Sequence, residues 1–282
     1  MKRAPAIILA ALFLLCFGAP LIEQALHFSS NETDLSSRFL PPSPSHFLGT
    51  DELGRDIFLR LLYGGQISLT VALAAGLASA FIGTAVGMAA GYLGGRWDAL
   101  LMRVTDLLIS LPSLPLLIIL SALDLQKLGL SADFANSPRV SLYKMIVLIS
   151  VLSWTTVARL ARARTLTLRQ MDFVRAARAL GVGDFRIVLR HIFPNLLNTV
   201  VVATALAVGN IILMESVLSF LGLGIRPPLP SWGNMLTHAE ETIWEHARLS
   251  VYPGVMIFVT VLSFNFLGDA IQQARDPREA KR

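Results

Sequence analysis

The sequence predicts an all-α integral membrane protein with six transmembrane helices and a cytoplasmic helical hairpin. Three observations predict it. Of 282 residues, 54% are hydrophobic and 15% charged, with mean hydropathy +0.61. Soluble domains carry roughly 25% charged residues, so this chain has too little polar surface to cover itself in water. Six apolar stretches approach the ~20 residues a helix needs to cross a bilayer. The basic residues then fall unevenly between the segments those stretches separate. A single cysteine rules out a disulfide framework, and the net charge of +5 is read as a topology signal rather than a nucleic-acid footprint.

The first stretch, 5–22, follows Lys2 and Arg3. A basic start before an apolar run also fits a secretory signal peptide. Gly18-Ala19-Pro20 is a poor cleavage site, however, so a retained signal anchor is expected. The second stretch, 67–95, carries no charge, and the third, 107–123, has Pro112 and Pro115 near its start to bend it. The others are 142–158, 196–221 and 249–267. Backbone in hydrocarbon must bond to itself, so each is read as helix. With the N-terminus inside, sixteen Lys and Arg lie in inside segments and eight outside, which favours both termini in the cytoplasm. The chain divides into a signal anchor with an outer loop and interfacial helix (1–65), a transmembrane core (66–275) and a cytoplasmic tail (276–282).

The largest inside segment, 159–195, reads as a hairpin. Asp172 suits a helix N-terminus, Gly181 and Gly183 stop that helix, Asp184 caps a second one, and Pro194 begins the next. Ala176, Ala177 and Ala179 offer a nearly bare face. Such a face suits close docking into a cleft of another protein; its arginines equally suit anionic lipid.

Three further features stand out. Thr50, followed by Asp51 and Glu52, reads as the cap of an interfacial helix whose apolar face is Ile57, Phe58, Leu61 and Leu62. Gly83, Gly87 and Gly91 form a small-residue stripe that packs on this chain or on a second subunit. Glu215, inside the fifth stretch, needs a wet cavity, a hydrogen-bond partner or a proton, and Asn210 is placed to share its cavity.

Arg175-Ala176-Ala177 with Gly181 and Ile192-Phe193-Pro194 resembles the EAA loop of ABC-transporter permease subunits, with Arg175 where the family pattern has Glu. Leu48-Gly49-Thr50-Asp51-Glu52-Leu53-Gly54-Arg55-Asp56 resembles a signature of the dipeptide/oligopeptide/nickel permease family, in particular its C-type second permease subunit. Gly91-Tyr92-Leu93-Gly94-Gly95-Arg96-Trp97-Asp98, Leu218-Ser219-Phe220-Leu221-Gly222-Leu223-Gly224 and Pro230-Ser231-Trp232-Gly233 extend the resemblance over about residues 38–277.

The resemblance implies an ABC importer type I permease-like fold. Its coupling helix, built from Asp172, Arg175, Ala176, Ala177, Gly181 and Pro194, would seat in an ATPase. The implied partners are a second homologous permease subunit, two cytoplasmic ATPase subunits and an extracytoplasmic binding protein. The implied cargo is di- or oligopeptide, with nickel or its chelates as the alternative. Glu215 and Asn210 are candidate path-lining residues, and Pro227, Pro228 and Trp232 are candidates for a rim that meets the binding protein.

The residues themselves carry no phosphate-cradling loop, because none of Lys2, Lys127, Lys144 and Lys281 precedes Ser or Thr. ATP and magnesium are therefore expected on the partners and no cofactor on this chain. His238, Glu241, Glu245 and His246 lack the order of a zinc motif and read as a wet helix face. A proton-coupled secondary transporter using Glu215 is the rival from another class.

Overall fold

The computed structural model describes residues 4–27, 29–237 and 239–273, and among them every regular element is helical. Lys2, Arg3, His238 and the basic residues of the C-terminal tail fall outside the described residues. Four helices are long and apolar enough to cross a membrane: Ile57–Leu93, Pro138–Arg169, Asp184–Phe220 and Arg248–Gln273. Two bent pairs raise the number to six if each counts as one span.

In chain order, α1 (Ala4–Phe17) turns by 53° at Gly18 into α2 (Ala19–Leu26). The helix α3 (Ile57–Leu93) follows a loop. Then α4 (Gly95–Ser110) turns by 83° into α5 (Ser113–Ser121). Leu111 and Pro112 sit at that corner in extended conformation, because a proline pushes its predecessor out of the helical region. The third span is thus bent at Pro112, as expected. It is a broken pair, and the nine residues of α5 rise only ~14 Å.

The short α6 (Ala132–Asn136) leads into α7 (Pro138–Arg169), α8 (Asp172–Ala179) and α9 (Asp184–Ile187). A π turn over Val188–Ile192 joins α9 to α10 (Phe193–Phe220). Pro194 stands in the first turn of α10, as expected, and the helix runs on from α9 without a break, so that Asp184–Phe220 is one long apolar helix. Proline has no N–H and crowds the carbonyl four residues back. The wider turn, with the Phe193 amide donating to the Val188 carbonyl, carries the helix past it. Finally α11 (Ala239–His246) precedes α12 (Arg248–Gln273).

The interfacial helix expected from Thr50 is also corrected. Thr50 Oγ1 accepts from the Leu40 amide and donates to the Ser37 carbonyl. Asp51 Oδ1 accepts from the amides of Leu53 and Arg55, 2.9 and 3.0 Å away. Gly49 and Gly54 have φ of +80° and +74°, which breaks any helix there. The helix begins at Ile57, capped by Asp56, whose carboxylate accepts from the Leu59 amide at 2.8 Å.

α3 and α7 form the most intimate pair, and the glycine stripe is the reason. A Cβ at Gly83 would lie 2.5 Å from the Trp154 carbonyl oxygen; one at Gly87 would lie 2.7 Å from Ala161 Cβ, and one at Gly91 2.8 Å from Thr165 Cβ. Of the two packing readings, the structure shows the stripe used within this chain. The main core then gathers Cys16, Leu69, Ile149, Ile211, Trp232 and Phe264 from the surrounding elements.

Directions alternate through the bundle. Tyr63, near the start of α3, meets Glu23 of α2, and Lys144, near the start of α7, meets the end of α5 through the carbonyls of Ser121 and Leu123. The starts of α1 and α4 thus lie at the same end as α8 and α9, and so does the end of α12. This is called the hairpin end, and the opposite face the loop end. Gly83→Leu is expected to abolish recovery of folded protein from detergent extracts. Gly254→Ala, where nothing lies within 4 Å of the added methyl, should leave thermal stability unchanged or raised by up to about 1 kcal/mol.

Candidate functional site

The hairpin is closed by backbone chemistry. Gly181, at φ +77°, ends α8 while the Val182 amide donates to the Ala177 carbonyl and the Gly181 amide to that of Arg178. Asp172 stands first in α8, favourably placed at the positive helix end, and the N-cap of α9 is Gly183. Asp184 therefore caps nothing with its side chain. Its carboxylate accepts instead from the Tyr92 hydroxyl, at the end of α3.

Tyr92 is the pivot of this region, and sequence reasoning missed it. Arg178 donates to its hydroxyl at 3.1 Å and lies 5.7 Å from its ring centroid. Arg169 donates to its carbonyl at 2.9 Å and so satisfies the open end of α3. Beneath these polar ties, Val174, Ala177, Ile187, Ile192 and Leu196 form a separate buried cluster with Tyr92 and Leu168. The hairpin is consequently fastened to α3, α7 and α10 together.

That packing splits the alanine face. Ala177 is buried in the cluster, while Ala176 and Ala179 remain exposed with Arg175. The outward surface also carries Leu180 at 84% exposure and Phe185 at 79%. These two apolar side chains were legible only as spacers between glycines and charges. Pro194 is exposed in the first turn of α10, where Asn195 Nδ2 donates to the His191 carbonyl at 2.7 Å.

Glu215 is fully buried and does not share a cavity with Asn210. Its two oxygens accept from Ser68 at 2.9 Å and Ser219 at 2.7 Å, and Ser68 Oγ in turn accepts from the Trp232 amide. Trp232 is 0% exposed, with its indole N–H donating to the Leu61 carbonyl at 2.9 Å, so it offers a partner no surface. Both residues are corrected accordingly: they clamp α3, α10 and the segment after α10 at the loop end. The five-residue step from Asn210 to Glu215 turns a helix by about 140° beyond a full revolution, which places the two on different faces. Asn210 lines a cavity of about 360 Å³ between the α4–α5 corner, α7 and α10, whose hydroxyl groups are those of Ser113, Ser153, Thr155 and Thr156. Pro227 and Pro228 are exposed at the loop end. Among the described residues no group of His, Cys, Asp and Glu is arranged to hold a metal, and His246 stacks on Phe39 with centroids 4.1 Å apart.

Long apolar helices tied at one end to an exposed knuckle, with a partly polar cavity between them, define a membrane-embedded transport component. The chain belongs to the family of binding-protein-dependent transport system inner membrane components, whose profile matches residues 83–281. It is a multi-pass membrane protein of that family. It is 39% identical over 278 residues to a chain of Brucella suis biovar 1 (strain 1330) that carries a peptide permease name, covering 95% of this chain and 87% of that one. It is 42% identical over 237 residues to the glutathione transport system permease protein GsiD of Escherichia coli O157:H7, covering 84% and 74%. The MetNI methionine ABC transporter, solved in an inward-facing conformation, shares the fold with a TM-score of 0.60 at 18% identity, over 76% of this chain and 95% of that one.

Glu215→Leu is expected to leave the Ser68 and Ser219 hydroxyls unpaired at about 1–3 kcal/mol each and to lower the melting temperature of the purified protein. Asn210→Ala should leave that temperature unchanged, because its side chain faces the cavity.

Proposed function

We propose that the chain is one of two membrane-embedded halves of an ATP-driven importer for short peptides. The single observation that carries this reading is the hairpin: an exposed knuckle of Ala176, Ala179, Leu180 and Phe185 fastened through Tyr92 to three long helices. A shove delivered to such a knuckle moves helix ends, and nothing in a self-contained channel calls for it. The names of the relatives support peptides, glutathione among them, as the cargo class.

In this reading the hairpin end faces the cytoplasm, and both termini lie on that side. Two ATPase subunits hold ATP and magnesium, and this chain binds neither. Asp172, Arg175, Ala176, Gly181 and Pro194 belong to the ATPase-facing surface, with Ala177 supporting it from beneath. A second, similar permease subunit completes the passage, and an extracytoplasmic binding protein delivers cargo to the loop end, where Pro227 and Pro228 form part of the rim. Asn210, Ser153 and Thr156 line the path, and Glu215 holds the outer clamp together. ATP-driven closure of the ATPases favours one arrangement of the helices over the other, a population shift that requires differential contact with the hairpin in the two states.

The domain division follows the same scheme: 1–65 anchors the chain and builds the outer loop, 66–275 forms the core, and 276–282 is the tail. The test is uptake of a labelled dipeptide into vesicles holding the assembled complex, with and without ATP. Ala176→Trp combined with Ala179→Trp is expected to cut uptake about tenfold or more, equivalent to about 1.4 kcal/mol, while membrane insertion is unchanged. Ala177→Trp should instead lower the yield of folded protein, because that methyl is buried. Undiminished uptake by the double variant would reject the docking role.

A further inference from the structure

At the loop end, a pocket of about 310 Å³ lies between the start of α3 and the segment that follows α10. Its charged lining is Asp51, Glu52, Arg55, Arg60 and Arg226. These charges do not cancel. Asp51 Oδ2 is shared by Arg55 Nε at 2.8 Å and Arg60 Nε at 3.3 Å, and Glu52 is taken by Arg55 Nη2 at 3.2 Å. Arg226 binds the neutral Asn136 Oδ1 at 2.8 Å and has no acidic partner among the described residues. Three guanidiniums therefore stand against two carboxylates.

Arg60 is the sharper observation. It is only 7% exposed, and its Nη1 has no hydrogen-bond partner among the described residues. A guanidinium nitrogen taken out of water without an acceptor is strongly unfavourable, and the group that offsets it best is an anionic oxygen. Arginine is also the side chain whose planar fork matches a carboxylate.

We propose that this pocket receives the carboxylate of an Asp or Glu side chain presented by the extracytoplasmic binding protein, held between Arg60 and Arg226. The inference rests on the proposed function. The pocket opens beside the exposed Pro227 and Pro228, and it shares no lining residue with the Asn210 cavity, so cargo passing through that cavity does not cross it. An acidic side chain from a protein seated on the loop end both reaches the pocket and neutralises it.

The test uses the complete complex in lipid vesicles and follows ATP hydrolysis against binding-protein concentration at low and high salt. Arg226→Gln, an exposed change that does not threaten folding, is expected to raise the half-saturating concentration about tenfold and to flatten its salt dependence. Arg226→Glu should raise it further. Arg60→Lys, which keeps the charge but loses the fork, should raise it while the salt dependence stays near that of the unmodified complex. Unchanged half-saturation in both Arg226 variants would overturn the proposal. So would unchanged half-saturation with an altered preference between acidic and amidated dipeptides, which would assign the carboxylate to the cargo. Failure of the unmodified complex to respond to its binding protein at all would instead strike at the proposed function.

Discussion

Everything at the hairpin end depends on two backbones lying against each other. Gly83, Gly87 and Gly91 let α7 sit directly on α3, with Trp154, Ala158, Ala161 and Thr165 filling the space their absent side chains leave. In lipid there is little hydrophobic gain from joining two apolar helices, so close van der Waals contact is the main attraction available. That contact sets Tyr92, at the end of α3, beside Leu168 and Arg169, at the end of α7. Only then can Arg178 and Asp184 reach the tyrosine and pin the hairpin. Looser packing higher up would leave the knuckle attached to one helix rather than three.

The broad architecture was legible because hydropathy is a local quantity. Four of the six apolar stretches coincide with long helices, and the glycine stripe and Gly181 act where their spacing suggested, while Gly183 stands at the start of α9 instead of stopping α8. Misreadings arose where a distant residue decides. Thr50 followed by two acids looks like a helix cap, yet Asp51 spends its carboxylate on Leu53, Arg55 and Arg60. The helix start at Ile57 escaped notice because Arg60 interrupts the apolar run, and nothing local announces that Asp51 answers its charge. Trp232 looked like a rim residue because prolines surround it. Its burial depends on Leu61 and Ser68, more than 160 positions earlier.

The helix α10 separates two tasks on two faces. One face carries Glu215, whose hydrogen bonds to Ser68 and Ser219 tie it to α3 and, through Ser68, to Trp232. The other carries Asn210 beside a cavity with few polar groups. A lone carboxylate buried in a span is costly, and the hydroxyl donors on both its oxygens offset that cost here. In the proposed importer that cavity, which no charged side chain lines, favours no one cargo over another by fixed charge.

The continuous helix from Asp184 to Phe220 has 37 residues and so measures about 55 Å, well beyond the roughly 30 Å of hydrocarbon. Its lower tip is seated in the hairpin, and its upper third is bolted at Glu215. A rod held near both tips passes a displacement of its hairpin end along its length to the Glu215 clamp at the loop end, so the two faces of the protein are joined by one element rather than by a relay of short ones.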